Sequence, residues 1–368
     1  MQRRRFVKGL AAGGLAAGLS ACSSDCETTT TRADARTFNW KMVTTWPPNF
    51  PGLGAAATNL AKRIEAASGG RIRIRVYAAG ELVPAFETFD AVSRGTADIG
   101  HSGAYYWKAK IEAAQFVATI PFGLNAAEMN GWMYYGDGLS LWQALYEPFG
   151  VVPFPAGNTG AQMGGWYNRE INSAEDLKDL KMRIPGLGGE VLKRAGGIPV
   201  TLPGGEIFTA LQLGNIDATE WVGPYNDVTF GFPRVAKYYY YPGWHEPGPM
   251  LEAIINGDRW AELPDDLQAI VRDCCQAINC DMLAEYSFRN AQIFNDLVKN
   301  PEVDVRAFPT EVLQVMREHT DAVVAEITAR NADAKRVYAS LDAYRRLSTP
   351  FQLATEVAVL NARNETSS

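Results

Sequence analysis

Three kinds of side chain suited to gripping a small anion or a hard cation fall within one stretch, residues 183–246. Arg183 comes first, in the run KMRIPG. A guanidinium is planar and offers two parallel charge-assisted hydrogen bonds to a carboxylate, and Pro185 with the glycines behind it closes a strand-like segment that holds the side chain at a rigid edge. Next come Glu220 and Trp221, which end GEIFTALQLGNIDATEW, residues 205–221. Glu246 is the third, in the run WHE, where its carboxylate suits a hard cation and His245 reads as a hydrogen-bonded structural histidine. Tyr105, in AYYW, has two readings: a packing residue, or a hydroxyl that touches a ligand.

Activated catalytic groups are missing from the sequence. It has no G-x-S-x-G elbow, no H-E-x-x-H, no Walker or dinucleotide glycine pattern, and only three histidines, His101, His245 and His319. GLGGE at residues 186–190 reads as a glycine-rich turn without the lysine of a phosphate loop. Catalysis is therefore disfavoured, and the enzyme that remains as a rival is an exported isomerase or lyase using Glu220 and Arg183 on a small organic acid. Cys274, Cys275 and Cys280 share an apparently helical run where they are badly placed to pair, so they read as packing thiols.

The elements that must position these groups follow an α/β rhythm. FNWKMVTTW and RIRIRVY read as strands, the second an edge strand with solvated arginines. Residues 53–70 between them read as a helix stopped by Gly-Gly. PAFETFDAVSRG is a predicted helix and TADIGHSG the next strand, which puts Tyr105, Tyr106 and Trp107 just past its end. Residues 125–147 are predicted helical, and VVPFPAGNTGAQMGGWYN then crosses towards a second domain. In the central stretch Ile207, Leu211 and Leu213 lie on or near one helical face, Gly214-Asn215 stops the helix, and a short strand delivers Glu220 and Trp221 to its end. Ligand groups of open α/β sheets usually stand there. Tyr238 to Tyr241 read as a strand with one buried and one cleft or surface face. From Pro264 onwards the chain is mostly helical, with a strand-like VDVRAF.

With 368 residues, 47% hydrophobic and 21% charged, the chain has room for two ordinary domains. Its formal net charge is −6. Residues 1–21 hold four basic and no acidic residues, so the rest carries 31 basic against 41 acidic, a net −10. Such an acidic protein is a poor partner for nucleic acid. RRRFVKG followed by LAAGGLAAGLSAC reads as an export signal with a twin-arginine, Tat-like basic region. Leu19-Ser20-Ala21-Cys22 resembles a lipobox that would lipidate Cys22; the other reading is ordinary cleavage with an incidental thiol. Residues 22–36 read as a flexible tether.

LKDLKMRIPG, GEIFTALQLGNIDATEW, RGTADIG at residues 94–100 and AELPDDLQAIV at residues 261–271 resemble the signature segments of the extracytoplasmic solute receptors of TRAP transporters. The similarity runs in order through residues 37–300, and TTWPPNFPG with the Glu-Trp pair is most similar to the branch that binds 2-oxo acids, such as pyruvate, or lactate together with a metal ion. The resemblance implies an α/β, two-lobed periplasmic-binding-protein (Venus flytrap) fold with a long interlobe helix and a C-terminal helical extension. Lobe 1 would take residues 37–157 plus about 249–288, lobe 2 residues 158–248 plus about 289–335, and residues 336–368 the extension. It raises Gln162 to a metal ligand and Asn158 to a ligand contact. The implied solute set is then Arg183, Asn158, Tyr105, Gln162, Trp221 and Glu220, with Gln162, Glu220, the Trp221 carbonyl and Glu246 around Ca²⁺ or Na⁺. Implied partners are a small carboxylate, membrane-embedded permease subunits in a periplasmic setting, and a second copy of the chain through a last helix standing apart from the core, with Leu341, Tyr344 and Leu347 as its buried face; the other reading is an ordinary surface helix.

Overall fold

A computed structural model describes residues 36–365. The export signal, Cys22, Cys26 and all but the last residue of the tether lie outside the described residues. In chain order the elements are β1 (Phe38–Thr44), α1 (Leu53–Ala67), β2 (Ile72–Tyr77), α2 (Thr88–Ser93), β3 (Ile99–Gly103), α3 (Ala114–Ala118), α4 (Ala126–Tyr135), α5 (Gly138–Tyr146), β4 (Val151–Asn158), β5 (Gly165–Tyr167) and β6 (Lys181–Arg183). They continue with α6 (Gly186–Arg194), β7 (Ile198–Val200), α7 (Gly204–Gln212), β8 (Ala218–Thr219), α8 (Pro224–Phe230), β9 (Tyr238–Tyr241), β10 (Met250–Asn256), α9 (Gly257–Ala261), α10 (Asp265–Leu297), β11 (Asp304–Ala307), α11 (Thr310–Arg330), α12 (Ala332–Gln352) and α13 (Ala358–Glu365).

Two sheets form from these strands. The first has the order β2-β1-β3-β10-β4, with β1 parallel to β2 and β3 and with β10 antiparallel to both of its neighbours. In β1, Phe38, Trp40 and Met42 are buried while Asn39 and Lys41 are exposed, so alternation sets its two faces. On β2, at the sheet's edge, Ile72 is buried while Arg73 and Arg75 are exposed. The second sheet runs β11-β9-β5-β8-β6-β7, and β8, β6 and β7 are parallel. The chain passes between the sheets from β4 to β5 and again from β9 to β10, and the 33-residue α10 packs on β4, α1 and α8. No helix among the described residues is long and apolar enough to cross a membrane.

Several expectations change on contact with tertiary structure. Leu213 is 68% exposed while Ile207 and Leu211 are buried, because α7 ends at Gln212 and Gly214 turns the chain away. Tyr238 to Tyr241 do not have one cleft or surface face: Tyr239 stacks on Trp166 and Tyr240 on Phe308, both buried, because the sheet is covered on both sides. GLGGE is not a turn but the first turn of α6. A side chain at Gly189 would collide with the Ile184 carbonyl, which is how the helix can follow β6 so abruptly. Residues 125–147 split into two helices at Gly136. Cys280 is exposed rather than packed, while Cys274 and Cys275 are buried free thiols.

The last helices also differ from the expectation of an extension standing apart. The first half of α12 lies on α3, α4 and α5, burying Ala334, Val337 and Leu341. Tyr344 is half-buried, its hydroxyl above Gly131, where any side chain would collide with it. Leu347 belongs to no buried face of this chain: it is 75% exposed, as are most of Phe351 and Val359 further on.

Candidate functional site

Strand ends build the site. Trp46 follows β1, Asn158 and Thr159 stand at and after the end of β4, Arg183 ends β6, Glu220 and Trp221 follow β8, and His245 and Glu246 follow β9. Tyr105 and Tyr106 come from the single 3-10 turn Ala104–Trp107 after β3. These ends, drawn from both sheets, surround a cavity of about 10 Å³, lined by Trp46, Tyr105, Tyr106, Thr159, Gln162, Arg183 and Trp221 and by the apolar Leu53, Val222 and Leu251. That is about the space of a single water: the walls stand closed on one another.

Arg183 is 1% exposed. Its Nη1 donates to Glu220, to the carboxylate Oε1 and to the backbone oxygen, the latter at 3.2 Å; Nε donates to the Leu202 carbonyl at 3.3 Å and Nη2 to the Tyr106 hydroxyl at 3.3 Å. The guanidinium also lies 5.0 Å from the centre of the Trp221 ring. A charge buried this deeply costs heavily unless paired, and here Glu220 provides the pairing. The carboxylate grip expected of Arg183 is thus taken up in this structure by the protein's own carboxylate. Burial opposes the charge on Arg183, yet Glu220 and its other neighbours hold its pKa above the usual value.

Glu246 is the second acid. Its Oε2 accepts from Gln162 Nε2 at 2.8 Å, and Gln162 Nε2 also reaches the Thr159 hydroxyl at 3.3 Å. The backbones agree, since Gln162 donates to the Glu246 carbonyl and Gly243 donates to the Gln162 carbonyl. Gly243 is required there, because a Cβ would sit 2.2 Å from the Gln162 oxygen. Burial, and after it the nearby charge of Glu220, push the Glu246 carboxyl well above the usual carboxylate range. Two acceptors in this neighbourhood, Gln162 Oε1 and Glu220 Oε2, are buried without a hydrogen-bond partner among the described residues. His245 Nε2 lies 3.3 Å from Glu220 Oε2, but without the alignment of a hydrogen bond.

Behind the walls stand groups of a different kind. Asp227, 1% exposed, accepts through Oδ1 from the Val222 and Gly223 backbone N–H groups, and through Oδ2 from the Trp166 indole at 3.1 Å and the Tyr239 hydroxyl at 2.7 Å. Burial lifts its carboxyl to about 7 against the pull of those donors. Glu252, fully buried, accepts from the Trp107 indole at 2.5 Å and the Tyr146 hydroxyl at 2.9 Å, and burial lifts it too to about 7. His101 Nδ1 accepts from the Trp46 indole at 2.8 Å, so its proton is on Nε2, which donates to the Ala156 carbonyl at 3.0 Å. Burial lowers its pKa to about 4, the Ala156 carbonyl opposing, and keeps the ring neutral.

Of the residues singled out in the sequence, Arg183, Gln162, Trp221 and Tyr105 line the cavity. Glu220 and Glu246 are tied to it through Arg183 and Gln162. Asn158 is outside the lining; its Oδ1 accepts from Gly160 N–H at 2.8 Å, while its Nδ2 is buried without a hydrogen-bond partner among the described residues. Sequence reasoning missed Trp46, Thr159 and Tyr106 as wall residues. Trp46 could have been found from its place just past a predicted strand; Thr159 carries no comparable signal.

Among the described residues no three His, Cys, Asp or Glu side chains converge as a metal cage. A cation here would need a mixed oxygen set. Gln162 Oε1 and Glu220 Oε2, buried acceptors with nothing to accept from, together with the neighbouring Glu246, have the chemistry of such a set.

The chain matches the family model described as bacterial extracellular solute-binding protein, family 7 (DctP), over residues 42–331. It is 39% identical over 98% of its length to a monocarboxylate 2-oxoacid-binding periplasmic protein of a Nostoc species, 98% of which is covered. A solved TRAP periplasmic solute-binding protein from Colwellia psychrerythraea, with bound calcium and pyruvate, is 40% identical and covers 89% of this chain and all of its own, with a TM-score of 0.87. Another, from Pseudoalteromonas atlantica with bound sodium and pyruvate, is 39% identical over 89% of this chain and 99% of its own, with a TM-score of 0.86. Two open α/β sheets with an anion-competent cavity at their strand ends, and these matches along most of the chain, make this protein a member of the DctP family, the solute-binding receptors of TRAP transporters.

Proposed function

We propose that the cavity captures a small monocarboxylate, a 2-oxo acid such as pyruvate or the related lactate, together with Ca²⁺ or Na⁺. The observation that carries this reading is the buried Arg183–Glu220 pair beside a second carboxylate, Glu246, and the two unpartnered acceptors. Arg183 would hold the ligand carboxylate, while Gln162, Glu220, the Trp221 carbonyl and Glu246 would hold the cation, with the ligand's own oxygens completing its coordination. The cation supplies positive charge that offsets two acids in a dry site. Tyr105 and Tyr106 close the opposite wall, and Leu53, Val222 and Leu251 give the site an apolar side suited to a short hydrocarbon group. The named binding of pyruvate with calcium or sodium in the relatives above supports the same chemistry.

The protein in this reading is a carrier and not an enzyme: it returns its solute unchanged and delivers it to membrane-embedded permease subunits. The two sheets are read as the cores of two lobes, with boundaries near residues 157/158, 248/249 and 288/289. Export through the Tat-like signal, and anchoring through Cys22, belong to the same reading. The exposed Leu347, Phe351 and Val359 are read as the seat of a second copy, so truncation after residue 346 should turn a dimer into a monomer in sedimentation; a full-length monomer would refute it.

Calorimetric titration tests the central reading. Pyruvate in excess Ca²⁺ should bind at micromolar Kd or tighter, about −8 kcal/mol, and removal of the cation by chelation should weaken it at least tenfold. Equal binding without metal refutes the cation. Conversion of pyruvate to any product on long incubation refutes the carrier.

A further inference from the structure

We propose that Glu252 is a positioning residue for the solute site, holding the Tyr105–Tyr106 wall in place through Trp107. The inference rests on the reading that this wall faces the solute. Glu252 lies on β10, where the pairing with β4 shifts register between Leu251 and Glu252. Successive side chains of a strand point to opposite faces. Leu251 enters the cavity lining, and Glu252 enters the layer behind it, fully buried beneath Trp107 and Tyr146. A carboxyl is costly to place there, and the two hydrogen bonds it accepts tie three elements together: β10, the turn Ala104–Trp107 and α5.

That turn has little to orient it locally. It is a single 3-10 turn without a side-chain cap, and short 3-10 segments have weak internal hydrogen bonds. Its placement therefore depends on what its side chains meet. Trp107 packs on Phe89 with ring centres 5.5 Å apart and is fixed at its indole N–H by Glu252. The two residues before it form the wall: Tyr105 and Tyr106 pack edge to face at 4.7 Å, and the Tyr106 hydroxyl accepts from Arg183 at 3.3 Å. A Trp107 free to rotate carries this wall with it. Tyr146, the other donor to Glu252, is in α5 and does not line the cavity. The same carboxylate thus serves one bond that reaches the site and one that does not.

The test compares these two bonds on the full mature chain, by calorimetry with pyruvate in excess Ca²⁺ alongside thermal unfolding of the ligand-free protein. Trp107→Phe keeps an aromatic group but deletes the N–H and trims the indole to one ring; it should lower affinity tenfold or more. Tyr146→Phe deletes the other bond; it should lower Tm by a similar amount and leave affinity within threefold. Glu252→Gln keeps an acceptor for Trp107 and should also stay within threefold. Trp107→Phe binding as tightly as wild type, or Tyr146→Phe losing as much as Trp107→Phe, overturns the proposal. Wild-type protein that takes up no pyruvate would overturn the solute reading instead. The ¹⁹F resonance of fluorotyrosine placed at Tyr106 in ligand-free protein then decides the positioning role: it must move in Trp107→Phe and stay in Tyr146→Phe, and the reverse refutes it.

Discussion

Four of the buried carboxylates among the described residues form two pairs that their hydrogen bonds set apart. Asp227 and Glu252 have both oxygens occupied by donors: four bonds to the first, two to the second. Glu220 and Glu246 stand beside the cavity, where Glu220 Oε2 and the neighbouring Gln162 Oε1 are buried with nothing donating to them. Burial alone therefore does not mark a functional acid. A carboxylate surrounded by donors is part of the scaffold, whereas acceptors gathered without donors leave room for a positive charge. One pair braces the walls against which the other can work.

The largest effect expected is at the link between the second pair and the cavity. Arg183→Ala leaves Glu220 buried without its cation, and breaking such a pair costs about 3–5 kcal/mol of stability. Affinity for pyruvate should fall about 1,000-fold or more, some 4 kcal/mol. Affinity within tenfold of wild type by calorimetry would remove Arg183 from the site and with it the distinction between the pairs.

Isosteric amides sharpen the comparison, because they should act with opposite signs. Asp227→Asn turns one acceptor oxygen into a donor facing donors, so it should lose about 2–4 kcal/mol in urea unfolding, one or two unsatisfied groups at about 1–3 kcal/mol each. Glu246→Gln removes a charge that burial and Glu220 already oppose. It should keep or raise the stability of the ligand-free protein while weakening cation-dependent binding at least tenfold, about 1.4 kcal/mol. Parallel losses of stability in both variants would erase the contrast.

The smallest effect concerns pH. Folding raises the Glu252 carboxyl from 4.5 to about 7 through burial, against its bonds from Trp107 and Tyr146. Below pH 4.5 the group is protonated in both states and contributes no difference. As pH rises the unfolded chain ionises first, so stability falls through the interval to about 7 and then levels. Between pH 6 and 8 the fall due to this group is about 1 kcal/mol. Glu252→Gln should remove that part of the slope in urea midpoints, and an unchanged slope would place the ionisation elsewhere.

The two open sheets were legible because their signals are local. Alternation in FNWKMVT, the Gly-Asn stop after α7 and the Pro-closed run at Arg183 each act over a few residues, and all mark elements of the fold. The candidate residues were legible where a strand ends on a polar or aromatic side chain: Arg183, Trp221 and Tyr105 line the cavity on that basis. What escaped depends on partners distant in the chain. Leu213 reads as near the face of Ile207 and Leu211, but the helix stops before it. Tyr240 alternates with Tyr239, yet Phe308 covers its face from a segment 68 residues away by number. GLGGE could not show that Gly189 admits the Ile184 carbonyl.

Residue order alone determined the α/β rhythm, the acidic character of the chain beyond its basic leader, and which segments end in groups able to hold a carboxylate or a hard cation, since each follows from charge count and short-range periodicity. Only the tertiary structure decided that Glu220 occupies Arg183, that Asp227 and Glu252 spend their oxygens on the scaffold, and that the Asn158 amide oxygen is taken up by Gly160 N–H. The reason is physical: the state and use of a buried polar group depend on the donors and charges brought to it through space, and neighbours along the chain do not specify those.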